Sequence, residues 1–204
     1  MIAGCDEAGK GDYFGYVVVA CVCSDEKVLK DIGVRDSKVL SKGRIFELEK
    51  KIREKCIYSV VSLSPQRYNQ LHRDTGGKYN LNQMLGWLHA KAISEIIKKC
   101  APDTVTVDKF GKEENVLRNI DEGHDKIVFI EKGETKPAVA AASIVARAEF
   151  LRRHEQLSKK ANIGIPLPRG SAHVKDAARE LVKRRGREAL SDFAKLHFRI
   201  TKEL

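Results

Sequence analysis

Residues 6–15 read Asp-Glu-Ala-Gly-Lys-Gly-Asp-Tyr-Phe-Gly, directly after the apolar start Ile2-Ala3-Gly4-Cys5. Two adjacent acids at the end of an apolar strand cost free energy unless a cation or a hydrogen-bond donor satisfies them. A lone pair of this kind is more often a turn than a site, so its meaning depends on other acids. Asp108 ends the strand-like Thr104-Val105-Thr106-Val107, and Glu134 follows Ile127-Val128-Phe129-Ile130. If these three strands lie side by side, Asp6, Glu7, Asp108 and Glu134 gather at one end of a sheet. Four like charges repel, and hard divalent cations with oxygen ligands relieve that repulsion. No Cys or His cluster accompanies the acids, so Mg2+ or Mn2+ suits them better than zinc. Two such ions can support phosphodiester hydrolysis without a covalent nucleophile or a histidine base.

Gly4 to Lys10 also has the spacing of a phosphate-binding P-loop. The next residue is Gly11 where Ser or Thr is needed, a β-branched strand follows where a helix is needed, and two acids would repel the triphosphate. That reading fails.

Outward from this segment, Ile2–Asp6 predicts a short strand and Phe14–Cys23 a second, rich in Val17, Val18, Val19 and Val22. Ser41 predicts an N-cap for a helix carrying Ile45, Leu48 and Ile52. Ile57–Leu63 predicts a strand, and Ser64-Pro65 a helix start. A longer helix is expected over Asn82–Lys99, with Leu85, Leu88, Ala92 and Ile96 on one face. Strands at Thr104–Asp108 and Lys126–Ile130 precede an alanine-rich helix from Pro137 to about Leu157. A Pro/Gly loop at Gly164–Gly170 leads to helices over Val174–Arg184 and Arg187–His197. Strands that first pair closely and then alternate with helices predict an α/β fold with a central mixed sheet flanked by helices. No linker divides it, so 1–204 is expected to be a single domain that includes the C-terminal helices, about 173–204.

The net charge is +10 and unevenly placed. From Arg147 to Leu204 there are 15 Lys and Arg against 7 Asp and Glu, whereas the first 146 residues are nearly balanced. A basic C-terminal region suits a phosphate-binding face, and a solvated helical surface accounts for it equally well. No apolar run reaches the roughly 20 residues of a membrane helix. The five cysteines show no CxxC pair, which fits a reducing, cytoplasmic setting. His89, His154, His173 and His197 are scattered and suggest no metal site.

Several blocks in order resemble the type 2 ribonuclease H family. They are Asp6-Glu7-Ala8-Gly9-Lys10-Gly11, Asp36-Ser37-Lys38 with Leu40, and Ala141-Ala142-Ser143-Ile144-Val145-Ala146-Arg147. Within the family the details are similar to ribonuclease HIII: Gly11-Asp12-Tyr13-Phe14-Gly15, Asn80-Leu81-Asn82 with Trp87-Leu88-His89, Leu167-Pro168-Arg169-Gly170, and Phe193-Ala194-Lys195-Leu196-His197-Phe198. Glu134 stands where the HIII pattern has Glu and ribonuclease HII typically has Asp. The late tyrosine by which HII recognises an RNA–DNA junction has no counterpart, since the last tyrosine is Tyr79. Two departures stand out. HIII usually carries an N-terminal substrate-binding domain, whereas the acidic motif here begins at Asp6, as in a compact or trimmed form. Lys10 falls where HII has Arg and many HIII sequences a small polar residue.

The resemblance implies a ribonuclease H-like fold and cleavage of the RNA strand of RNA/DNA hybrids, leaving 5′-phosphate and 3′-hydroxyl ends. It implies Asp6, Glu7, Asp108 and Glu134 as the catalytic, metal-binding set for two Mg2+ or Mn2+ ions. Gly9, Lys10 and Gly11 would approach the scissile ribonucleotide, where a Cβ would block backbone groups from testing the 2′-hydroxyl; alone, such a turn is commonplace. Ser37, Lys38, Asn80, Asn82, Ser143 and Arg147 are the further candidates for substrate contact, with capping, turn and packing roles as the plain alternatives. The expected partner is a hybrid duplex, with no membrane, no obligate protein partner and a monomeric state. The competing functions are HII-like cleavage at single ribonucleotides in DNA and an inactive nucleic-acid-binding module.

Overall fold

The computed structural model describes residues 1–34, 40–76 and 79–204. In chain order the strands and helices are β1 (Ile2–Ala8), β2 (Val17–Ser24), α1 (Glu26–Ile32), α2 (Lys42–Lys55), β3 (Ile57–Leu63), α3 (Pro65–Asp74), α4 (Leu81–Cys100), β4 (Thr104–Asp108), α5 (Glu114–Leu117), β5 (Ile127–Ile130), α6 (Pro137–Ala161), α7 (Val174–Arg185) and α8 (Leu190–Phe193). They group into two units. The first holds Met1–Ala8, Val18–Ser62 and Leu81–Glu149; the second holds Gly9–Val17, Leu63–Asn80 and Phe150–Leu204.

The first unit is built on a mixed sheet of order β3-β2-β1-β4-β5. β1 runs antiparallel to β2 and parallel to β4, and β4 runs parallel to β5. Every residue of β2 is buried, and its apolar run Val17–Cys23 suits a strand covered on both faces. Gly4 explains how β1 meets a helix. A Cβ there would lie 2.2 Å from the Val139 nitrogen and 2.3 Å from the Ala138 carbonyl carbon, so only glycine admits the first turn of α6. Pro137 opens that helix, where its missing N–H costs nothing. On the other face lies α4, whose Leu85, Leu88, Ala92, Ile93 and Ile96 are buried at helical spacing. Ser41 accepts a hydrogen bond from the Arg44 N–H and opens α2, which buries Ile45, Leu48 and Ile52 as expected.

The second unit packs Tyr13 and Phe14 with Leu157, Ala161, Leu167, Val174, Ala178, Leu181, Leu190 and Phe193. Ser64 caps α3 through the Arg67 N–H, with Pro65 at its first position. The 15 Å-scale helix expected over Arg187–His197 does not form. Residues Arg187–Ala189 make a 3-10 turn, α8 spans only Leu190–Phe193, and Ala194 is extended and bridges Phe14. The reason is tertiary: the Lys195 N–H donates to the Tyr13 carbonyl and the Gly15 N–H to the Phe193 carbonyl. The Asn69 side chain takes the Ser191 and Ala194 carbonyls and the Leu196 N–H. These partners replace the helical ladder and satisfy the same backbone groups. For the same reason β2 begins at Val17 and not at Phe14. Helix α1 was not anticipated; Gly33, at φ 77°, closes it in the left-handed conformation.

Candidate active site

Strands β1, β4 and β5 do lie side by side. Cys5 pairs with Val107, so Asp6 and Asp108 are the next residues on adjacent parallel strands and share a face. Asp108 pairs in turn with Ile130, four residues before Glu134. Asp6 is almost fully buried. Burial, then the negative charge of Glu7, and more weakly that of Asp108, push its carboxyl up to about 7; the Glu7 N–H and the Ser143 hydroxyl oppose the shift. The Glu7 N–H donates to Asp6 Oδ1 at 2.7 Å. Ser143 is brought there by α6, whose first turn rests on Gly4 two residues earlier on the same strand face.

Asp108 Oδ1 accepts the Gly133 N–H at 2.8 Å, which ties the turn Gly133–Thr135, and hence Glu134, to the end of β4. Glu7, on the alternate face of β1, meets α4: His89 Nε2 lies 3.1 Å from Glu7 Oε2. Asp6 thus senses the charges of both Glu7 and Asp108, and Glu134 sits in the turn that Asp108 holds. Among the described residues, no three His, Cys, Asp or Glu side chains converge tightly enough to hold an ion as they stand. The donor set is nevertheless suited to a hard divalent cation. It consists of carboxylate oxygens, and a cation beside Asp6 would offset the burial and, after it, the Glu7 charge that push that carboxyl up.

The remaining candidates divide. Arg147 follows Ser143 by one turn of α6, and its Nε is buried without a hydrogen-bond partner among the described residues. Asn82 lies in the first turn of α4, against Gly111. Ser37 and Lys38 lie outside the described residues. In the second unit, Gly9 has φ 86°, and a Cβ would meet the Tyr16 carbonyl oxygen at 2.2 Å and the Phe150 ring at 2.7 Å. Its glycine is thus demanded by the protein itself. Gly11 is the opposite case: nothing lies within 4 Å of its Cβ position, so that glycine leaves open space beside exposed Lys10. Asn80 sits just before α4 and is exposed.

Two polar residues have no individual role in the sequence reading. His89 occupies the apolar face of α4 and is fully buried. Lys195 is also fully buried; its Nζ donates to the Gly15 carbonyl at 3.1 Å. Together with Asp12 Oδ1, which accepts the Gly170 N–H at 2.7 Å, it fastens the loop that follows Gly9-Lys10-Gly11. The available signal was a polar residue inside an apolar pattern, as in Leu85-Leu88-His89-Ala92 and Phe193-Ala194-Lys195-Leu196.

Burial lowers the Lys195 ammonium from its ordinary 10.5 to about 7, against the opposing charge of Asp12. Between those values the unfolded chain holds a proton that the folded one has released, so this group makes stability rise with pH across that window. Lys195→Met is expected to be more stable than the parent by about 1–3 kcal/mol at pH 6.5, and the difference should shrink by pH 9.5. Thermal melts at both pH values decide it; an equal difference at the two would contradict the buried-charge account.

The ribonuclease HII family model matches residues 3–201. A ribonuclease HIII of Protochlamydia amoebophila is 38% identical over 202 residues, covering 96% of this chain and 65% of that protein. A ribonuclease HIII of Bacillus cereus is 37% identical, covering 99% and 67%. The chain thus spans about two thirds of the length of these curated relatives. Among solved structures, Bst-RNase HIII in complex with Mn2+ superimposes with a TM-score of 0.88 at 33% identity, over 99% of this chain and 68% of that one. The mixed sheet, the acids at its strand ends and these likenesses agree: the chain belongs to the type 2 ribonuclease H family described by the ribonuclease HII model, and its likeness within that family is to ribonuclease HIII.

Proposed function

We propose that this chain is a divalent-metal-dependent endonuclease that hydrolyses the RNA strand of RNA/DNA hybrids, leaving 5′-phosphate and 3′-hydroxyl ends. The observation that carries the reading is the parallel register of β1, β4 and β5, which puts Asp6 and Asp108 level on one sheet face, with Glu7 next on β1 and Glu134 in the turn that Asp108 holds. Two divalent ions held by those carboxylates would supply the positive charge that favours attack of water on the phosphorus and departure of the 3′-oxygen.

The chain's own groups do the rest. The Ser143 hydroxyl and the Glu7 N–H hold Asp6 in place, and the Gly133 N–H holds Asp108. Arg147, with its orphaned Nε on the same helix as Ser143, supplies a donor for a phosphate oxygen. Gly9, Lys10 and Gly11 present backbone to the ribose, Gly11 leaving the space that such an approach needs. Asn80, Asn82, Ser37 and Lys38 are assigned to the nucleic-acid backbone on the strength of the family likeness. In this reading residues 1–204 act as one catalytic domain, as a monomer and in the cytoplasm. Five free thiols support a reducing setting, and no helix among the described residues is long and apolar enough to cross a membrane.

Cleavage of two labelled duplexes, with Mg2+ or Mn2+ and with chelator, tests the proposal. One duplex is a continuous RNA/DNA hybrid, the other DNA with a single ribonucleotide. Cutting confined to the continuous hybrid and lost on chelation is the expected result. Efficient cutting at the single ribonucleotide would move the function toward ribonuclease HII, and cutting of neither by folded protein would leave a binding module.

A further inference from the structure

His89 is fully buried on the apolar face of α4, with Leu85, Leu88, Ala92 and Ile93 as buried companions. Nothing about packing calls for an imidazole there. Its ring is stacked on Phe110, with centroids 4.6 Å apart and planes inclined at 22°, which fixes its orientation. Nε2 lies 3.1 Å from Glu7 Oε2, and the Glu7 side chain is itself only 5% exposed. Nδ1 is buried with no hydrogen-bond partner among the described residues.

These contacts select one form of the ring. The Nδ1–H tautomer would bury an unpaired donor and set the Nε2 lone pair against a carboxylate oxygen. The Nε2–H tautomer makes the bond to Glu7 and leaves only an acceptor unpaired, the least costly choice.

We propose that His89 is a positioning residue for the metal centre: held by Phe110, it donates Nε2–H to Glu7 Oε2 and fixes the carboxylate for divalent-cation binding. The inference rests on Glu7 being a ligand, as in the function proposed above. Outer partners that orient ligating side chains typically contribute 10–100-fold in metal affinity or activity. A histidine kept only for packing would be replaceable by an apolar ring.

His89→Phe keeps bulk and stacking and removes the donor; His89→Gln places an amide N–H near the Nε2 position. Mn2+ titration calorimetry without substrate is expected to show a 10–100-fold loss of affinity for His89→Phe and a loss of only a few-fold for His89→Gln. In steady-state hybrid cleavage, kcat should fall with the affinity while KM for hybrid stays within about twofold. Wild-type Mn2+ affinity and kcat in folded His89→Phe would overturn the proposal. Should that variant fail to fold, long-range 15N–1H spectra of the metal-free parent decide: a proton on Nε2 is expected, and a proton on Nδ1 overturns it. Glu7→Gln separates the two levels. If it weakens Mn2+ binding while His89→Phe does not, only the role of His89 falls; if neither weakens it, the four-acid reading falls as well.

Discussion

Asp108→Asn is expected to lower the rate of hybrid cleavage by about 10³-fold while hybrid binding stays the same or tightens. The substitution is nearly silent for the fold. Asp108 Oδ1 accepts the Gly133 N–H, and an asparagine carbonyl oxygen can accept the same bond, so the turn carrying Glu134 keeps its anchor. What is removed is one negative charge at the end of β4. That charge helps to hold the Asp6 carboxyl near 7, so its loss also eases ionisation of Asp6. A metal centre loses a ligand oxygen of full charge, whereas a binding module loses only repulsion toward phosphate. Single-turnover cleavage with Mg2+ and fluorescence anisotropy with labelled hybrid and no metal separate these effects. Cleavage at the parental rate would remove Asp108, and with it the strand-end cluster, from the chemistry.

Gly4→Ala is expected to destabilise the protein by about 3 kcal/mol or more, a large part of the 5–15 kcal/mol typical of folded domains. The new methyl carbon would sit 2.2 Å and 2.3 Å from backbone atoms of Val139 and Ala138, and 2.6 Å from the Ala138 oxygen. These belong to the first turn of α6 and cannot rotate aside as a side-chain end would. Relief requires α6 to move off β1, which would also withdraw Ser143 from Asp6. Gly11→Ala is the control. Its Cβ position is empty and its φ is not positive, so stability should change by no more than about 0.5 kcal/mol while hybrid affinity falls. Urea denaturation of both variants gives the comparison. A parental midpoint for Gly4→Ala would mean that β1 and α6 do not pack as described.

Much of this architecture could be read from local pattern. The boundaries of β3 and β4 came out as expected, Ser41 and Ser64 cap the helices they were expected to open, and Leu85, Leu88, Ala92 and Ile96 are buried together. Periodicity and capping are properties of neighbouring residues, so they survive whatever the rest of the chain does. The segment Arg187–His197 did not survive. Its helical composition lost to hydrogen bonds with Asn69, Tyr13 and Gly15, residues distant in sequence that no local pattern reveals.

The candidate site divides along the same line. Acids at the ends of apolar strands, and the residue types that suit a hard cation, are determined by the sequence alone, because an apolar run ending in a carboxylate has few stable placements. Which acids become neighbours was decided by the order of β1, β4 and β5 and by a parallel register that sets Asp6 level with Asp108. The partners of those acids were likewise tertiary: His89 on Glu7, Ser143 on Asp6 and the Gly133 N–H on Asp108. A buried imidazole or ammonium is tolerated only where a distant acceptor meets it. The roles of His89 and Lys195 therefore become visible only when the folded chain brings Glu7 to the one and the Gly15 carbonyl to the other.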